Sequence, residues 1–276
     1  MAEFESRRTL GRTGLQVSRL GLGASFKAPT AAYLEAFDRG VNYFYWGSVR
    51  RSLMGNAIRE IASNRREQLV LVLQSYSRVP SLLGPSIERG LRKLGVEHAD
   101  VLLLGWFNQA PSPRLLDAAR SLRERGRIRH IALSTHRRTL LPSLVDDEDF
   151  ALWHVRYNAV HRGAEREVFP CVEGREAAQR PGLVSYTATR WGHLCDPGKT
   201  PSGEATPTGT DCYRFALSRP EIDLSLAGPN DAEQMKQALA ALDAGPMDPD
   251  EQAWMRRVGD HIYAGSRNSS LLDGAR

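Results

Sequence analysis

Leu69-Val70-Leu71-Val72-Leu73-Gln74 is an apolar run with no polar alternation, and Val101-Leu102-Leu103-Leu104 repeats the pattern further along the chain. A half-exposed strand alternates, whereas an unbroken run suits a strand covered on both faces, as strands of a parallel sheet are. Working outward, runs of this kind recur at 19–23, 41–46, 69–74, 100–105, 129–134, 151–157, 183–187 and 223–227. Segments with helical spacing of apolar residues separate most of them, at 31–39, 52–62, 86–94, 114–125, 165–178 and 231–242. Eight such units in 276 residues predict an α/β chain closed into a (β/α)8 barrel, one domain over 1–264. Arg8 to Val17, with Gly11 and Gly14, reads as a β-hairpin that plugs the N-terminal end of the barrel. The Pro/Gly/Ser/Thr-rich stretch 195–210 is expected to be a functional or mobile loop, and 265–276 a disordered tail.

Composition excludes several function classes. Hydrophobic residues are 41% and charged residues 25%, enough for a core and for solubility. No apolar run reaches the roughly 18 residues of a membrane span, and MAEFESRRTLGR lacks the apolar centre of a secretory signal, so a cytoplasmic location with no membrane partner is expected. The net charge of +5 is spread over helices, as at Arg120, Arg123, Arg125 and Arg127, without a compact basic block interleaved with aromatics. Nucleic acid is therefore not expected as a partner, and a small, anionic molecule suits the charge better. Cys171, Cys195 and Cys212 are odd in number and widely spaced, which fits neither a disulfide framework nor a metal site, and no other ligand spacing is present. A C-terminal helix face at Trp254, Val258 and Ile262 can pack on the barrel or on a second copy, giving a monomer or a homodimer.

Five stretches carry a family resemblance. RTLGRTGLQVSRLGLG, Gly40-Val41-Asn42-Tyr43-Phe44, Gly126 to Ser134, Tyr157-Asn158 with HRGAEREVFP, and Gly182 to Thr187 together resemble the aldo-keto reductases, in order and over nearly the whole chain. That resemblance implies a barrel with its site at the C-terminal strand ends. It also implies carbonyl reduction with NADPH by an Asp, a Tyr acid, a Lys and a His. In this chain the matching positions hold Tyr45, Arg50, Gln74 and Gly105. An arginine keeps its proton at any relevant pH, so Arg50 cannot be the acid. Loss of a positioned general acid costs about 100- to 10,000-fold in rate. Arg50 can still polarise a carbonyl or hold a carboxylate. His136 and, less well placed, His161 are candidate acids or bases because a histidine titrates near neutrality, and Tyr45 is a second candidate, because a cation at Arg50 is expected to draw its phenol down.

The resemblance also implies how NADP is held. Tyr186 matches the ring that stacks on the nicotinamide, and Ser134 a hydroxyl that bonds its carboxamide; Thr135 and His154 stand where the family has Asn and Gln. Trp191 to Lys199 resembles the loop over the diphosphate, and Gln234 takes the position of an arginine after the eighth strand. The cofactor-binding candidates are Ser134, Asn158, Tyr186, Thr187, Arg190, Lys199, Gly228, Asn230 and Gln234. Catalytic candidates are Tyr45, Arg50, Gln74, His136 and Arg156, within a wider aromatic and cationic set that includes Trp46, Tyr76, Trp106 and Trp191. Strand parity puts Arg156 and Asn158 on one face and Tyr157 on the other. The leading reading is a divergent NADP-linked oxidoreductase for a small carbonyl or alcohol. The alternatives are a catalytically silent barrel acting as sensor or regulator, and a non-redox enzyme reusing the same mouth.

Overall fold

The computed structural model describes residues 4, 6–24 and 27–273, with side chains described through Ser266. A short antiparallel hairpin, β1 (Arg8–Thr9) and β2 (Gln16–Val17), leads into eight strands: β3 (Leu20–Gly23), β4 (Tyr43–Trp46), β5 (Val70–Ser75), β6 (Ala99–Leu104), β7 (Ile128–Ser134), β8 (Phe150–Arg156), β9 (Gly182–Tyr186) and β10 (Leu224–Ala227). All neighbouring pairs are parallel, and β10 closes on β3 with Ser225 opposite Leu20. Outside them lie helices α1 (Thr30–Asp38), α2 (Ser52–Arg65), α3 (Pro80–Leu94), α4 (Pro113–Glu124), α5 (Ala164–Glu167), α6 (Gly209–Leu217), α7 (Ala232–Ala244) and α8 (Pro249–Asp273).

The unbroken apolar runs divide by parity. Val70, Val72, Val101, Leu103, Leu152, Val184 and Leu224 fill the barrel interior, whereas Leu71, Leu73, Leu102, Leu104, Leu133 and Trp153 face the helices. Leu10 and Val17 of the hairpin join the interior cluster, so the hairpin seals the N-terminal end. Gly11, at φ +47, leaves no room for a side chain, since a Cβ would stand 2.0 Å from the Gly182 amide nitrogen. The same end is pinned by Asp223, which accepts from Arg180 at 2.6 and 2.9 Å and from the Leu183 amide at 2.9 Å.

Two segments differ from expectation, and the long loop between them is held in place. The helix expected over 165–178 stops after α5 and is followed by isolated turns, because Pro170 and Gly174 (φ +72) break its hydrogen-bond ladder. The stretch 195–210 is fastened to α8: Trp254 Nε1 donates to the Ala205 carbonyl at 3.2 Å and Arg257 pairs with Glu204 at 2.6 Å. It then feeds α6, whose start is fixed by Thr208 and Asp211 bonding each other's backbone N–H. Finally, α8 continues to Asp273, past the boundary expected at 264; residues 274–276 lie outside the described ones. No described helix is long and apolar enough to cross a membrane.

Candidate active site at the C-terminal barrel mouth

Toward their C-terminal ends the inward-facing positions of the strands turn from aliphatic to polar. The deepest pair is Tyr43 and His154, both buried, with the phenol oxygen 2.8 Å from His154 Nε2. Burial pushes the His154 pKa down to about 3, so the ring is uncharged and acts as an internal strut. The Tyr45 ring meets His154 edge-on at 5.6 Å, and its hydroxyl donates to Gln74 Oε1. Gln74 in turn occupies the space above Gly105, where a Cβ would stand 2.0 Å from its Nε2. These residues form one interlocked floor: Gln74 excludes a side chain at 105 and accepts the only proton Tyr45 can donate.

The electrostatics of Tyr45 differ from those expected. Burial raises its pKa well above that of an ordinary phenol, and Tyr76 and Tyr186 push in the same direction. Arg50 is exposed and is not among the groups that act on it. The opposing cation is Arg51, whose guanidinium faces Tyr33, Tyr45 and Tyr76. Trp46, expected at the mouth, is buried on the helix side of β4, and its Nε1 donates to the Arg51 carbonyl at 2.8 Å. The rim is aromatic: Trp106, 58% exposed and held at φ 58, lies edge-on to Tyr76 at 5.6 Å and to His136 at 5.4 Å.

One side of the mouth opens into a cleft of about 560 Å³ between the ends of β9, β10 and β3. Tyr186 and Thr187 line it, with Trp191, Cys195, Tyr213, Gly228, Asn230 and Gln234. Among the described residues none of the side chains on this wall is cationic. Lys199 is paired with Asp196 at 3.2 Å, and Arg190 is turned away toward His161 Nε2 at 3.3 Å and Ser266 Oγ at 3.0 Å. Asn158, fully buried, spends its amide on the Thr187 carbonyl at 2.8 Å and accepts the Val160 and His161 N–H groups at 3.0 and 2.8 Å. Asn158, Arg190 and Lys199 are thus committed elsewhere, whereas Tyr186, Thr187, Gly228, Asn230 and Gln234 come together. The start of α7 carries Asp231 as cap, accepting the Gln234 N–H at 2.8 Å, while Gln234 Oε1 accepts the Asn230 N–H at 2.9 Å. Cys195 and Cys212, far apart in sequence, bring their Sγ atoms to 3.9 Å as thiols.

The opposite side of the mouth is cationic. Arg156 lies across from Tyr186 in the β8–β9 register, while Tyr157, as parity requires, points outward to donate to Glu165 at 2.7 Å and stack on Phe215. Arg156 and Arg138 both face Tyr186 and both lower the pKa of the rim residue His136, as does burial, the largest cause. His136 is therefore neutral at neutral pH and available as a proton acceptor. The sequence reading missed Arg51 and Arg138. Only the run His136-Arg137-Arg138, directly after a strand end, signals the second; nothing in 47–51 distinguishes Arg51 from Arg50. Among the described residues no three His, Cys, Asp or Glu side chains converge as a metal site.

The family model described as "Aldo/keto reductase family" matches residues 23–188. L-galactose dehydrogenase of Arabidopsis thaliana is 20% identical over 279 residues, covering 85% of this chain and 87% of that protein. Among solved structures, the holo form of an aldo-keto reductase from Bacillus halodurans superposes with a TM-score of 0.76 at 18% identity, covering 92% of this chain and 96% of that one. An aldo/keto reductase from Klebsiella pneumoniae, in complex with NADP and acetate, gives 0.74 at 19% identity, with 92% and 96% covered.

Proposed function

The chain belongs to the aldo/keto reductase family, and on that premise we propose that it is a divergent NADP-linked oxidoreductase for a small carbonyl or alcohol, working without the family's four catalytic side chains. The observation that carries this reading is the cleft of about 560 Å³ that begins at Tyr186, directly beside the Arg156 corner. Its volume is within the range of several hundred Å³ usual for ligand pockets. Tyr186 offers a ring face for the nicotinamide, Ser134 a hydroxyl for its carboxamide, and Asn230 and Gln234 neutral polar groups for the adenosine end. Relatives crystallised with NADP and NADPH support that choice of cofactor.

When bound, the nicotinamide supplies or accepts the hydride, and the chain must handle the proton. Tyr45 is poorly suited, because its hydroxyl is engaged by Gln74 and burial holds the proton on it. His136 is uncharged at neutral pH and can take a hydroxyl proton, with Arg156 nearby as an anchor for an anionic substrate. This arrangement favours oxidation of an alcohol over reduction of a carbonyl near neutral pH.

Titration with NADPH and with NADH, followed by tryptophan fluorescence, tests the reading, since Trp191 on the cleft wall is 71% exposed. Saturable quenching is expected, with less than about tenfold preference for NADPH because, among the described residues, no cation lines the cleft to meet its 2′-phosphate. No saturation by either nucleotide would overturn it. The lack of cations on the cleft wall also favours a second reading, a barrel that binds a metabolite without turning it over; saturable binding with no hydride transfer would select it.

A further inference from the structure

Beside the mouth, between the end of β8, α5 and α8, lies a second cavity of about 650 Å³ lined by Arg138, Arg156, His161, Arg162 and Tyr263 among others. Most of its charges are already matched. Arg138 pairs with Glu167 at 2.8 Å, Arg162 with Asp260 at 2.7 Å and Arg256 with Glu165 at 2.8 Å, which accounts for the acids on the wall. Arg166 is exposed.

Arg156 is different. It is half-buried, makes no ion pair with any described residue, and its Nε is enclosed without a hydrogen-bond partner. A guanidinium taken out of water without an anion is destabilising unless something else supplies the charge. Arg190, outside the cavity lining, adds a second positive charge with no carboxylate: its Nε donates to His161 Nε2 at 3.3 Å, and its terminal nitrogens reach Ser266 Oγ at 3.0 Å and His193 Nδ1 at 3.5 Å. That contact fixes the imidazole proton on Nδ1, leaving an N–H to donate. Burial together with Arg156, Arg190 and Arg138 holds His161 down to about 4, so it stays neutral beside them and does not add to the repulsion.

We propose that Arg156, with the Nδ1–H of His161 and the positive charge of Arg190 behind it, forms a seat for the carboxylate or phosphate group of an anionic substrate, whose reacting carbon lies toward Tyr186. The assignment of this anion to the substrate rests on the oxidoreductase reading; the existence of the seat does not. The guanidinium of Arg156 matches the geometry of either anion bidentately, and its place opposite Tyr186 in the sheet register ties the seat to the mouth.

The test is carried out on the full chain without nicotinamide, so that its outcome is independent of the nucleotide titration. Malonate and inorganic phosphate are titrated separately against a chloride background, reading calorimetry and the NMR titration of the His161 ring. Saturation by at least one anion is expected, with the His161 pKa moving up toward an ordinary histidine value as the added charge offsets the arginines. The tighter of the two identifies the group as a carboxylate or a phosphate. Arg156→Gln should weaken binding at least about tenfold, and Arg156→Lys less, because it keeps the charge and loses the fork. Arg175→Gln, which breaks only the surface pair with Asp146, should leave binding unchanged. Binding that survives Arg156→Gln undiminished, or the absence of saturation by both anions in the wild-type protein, would overturn the proposal.

Discussion

Arg50 and Arg51 are adjacent in the chain and live in opposite surroundings. Arg50 is exposed, and among the described residues only its backbone N–H is engaged, by Ser48 Oγ at 3.3 Å; the Arg51 guanidinium is partly enclosed and interacts electrostatically with Tyr33, Tyr45 and Tyr76. Arg50→Gln should therefore change stability by less than about 0.5 kcal/mol, whereas Arg51→Gln should cost on the order of 1–2 kcal/mol through the lost packing of a partly enclosed guanidinium, both read from denaturant midpoints. The sequence could not separate them, because 47–51 follows neither strand nor helix periodicity and parity has nothing to act on. At Arg156 parity does act: that it and Tyr157 point to opposite faces was legible, though not which of them points inward. What parity cannot reveal is partnership: that Gln74 locks Tyr45, or that Asn158 is consumed by its own loop, depends on neighbours from other strands.

At the level of elements, the strands were legible because each is a short apolar run between turn signals, and their closed order follows from β/α alternation. The segment after β8 was not, since its apolar spacing continues through Pro170 and Gly174, where the backbone cannot remain helical. The loop after β9 stores backbone strain at the edge of the cleft, with Thr187 at φ 60, Arg190 at φ 51 and Trp191 at φ 55. A left-handed conformation costs a non-glycine residue roughly 1–2 kcal/mol. A large aromatic kept exposed under that strain points to a role in covering the cleft. Trp191→Gly should raise stability in urea unfolding by on the order of 0.5 kcal/mol, the relief of strain exceeding the added chain entropy, while weakening nucleotide binding. A loss of stability in that variant would show that the ring is held by packing instead.

The whole barrel carries a buried titratable strut. His154 has its pKa lowered to about 3 by burial at the centre of the mouth, against an ordinary value near 6.5 in the unfolded chain. A depressed histidine pKa means that the unfolded chain binds the proton first as pH falls. Stability is therefore complete above the unfolded value and declines from about pH 6.5 towards the folded value. The loss should reach about 2–3 kcal/mol by about pH 4.5, partway through this window. His154→Gln, which can still bond Tyr43, should flatten most of that dependence in unfolding measured across the same range. An unchanged slope would place the acid sensitivity elsewhere, His161 being the next group to examine. At this scale the architecture was readable from composition and repeat alone. The division of the mouth into a neutral cleft and a cationic corner was not, because it arises from side chains contributed by several strands, loops and helices far apart in the sequence.

The decisive measurement is single-turnover hydride transfer to prebound NADP from a panel of small alcohols, anionic ones included, comparing the wild-type protein with His136→Asn and Tyr45→Phe. Transfer should fall by about 100-fold or more in His136→Asn and stay within a few-fold in Tyr45→Phe, with a rate that rises through a pKa below that of a free histidine and then levels off. A rate that survives loss of the imidazole and collapses with loss of the phenol would contradict the proton route described for this mouth.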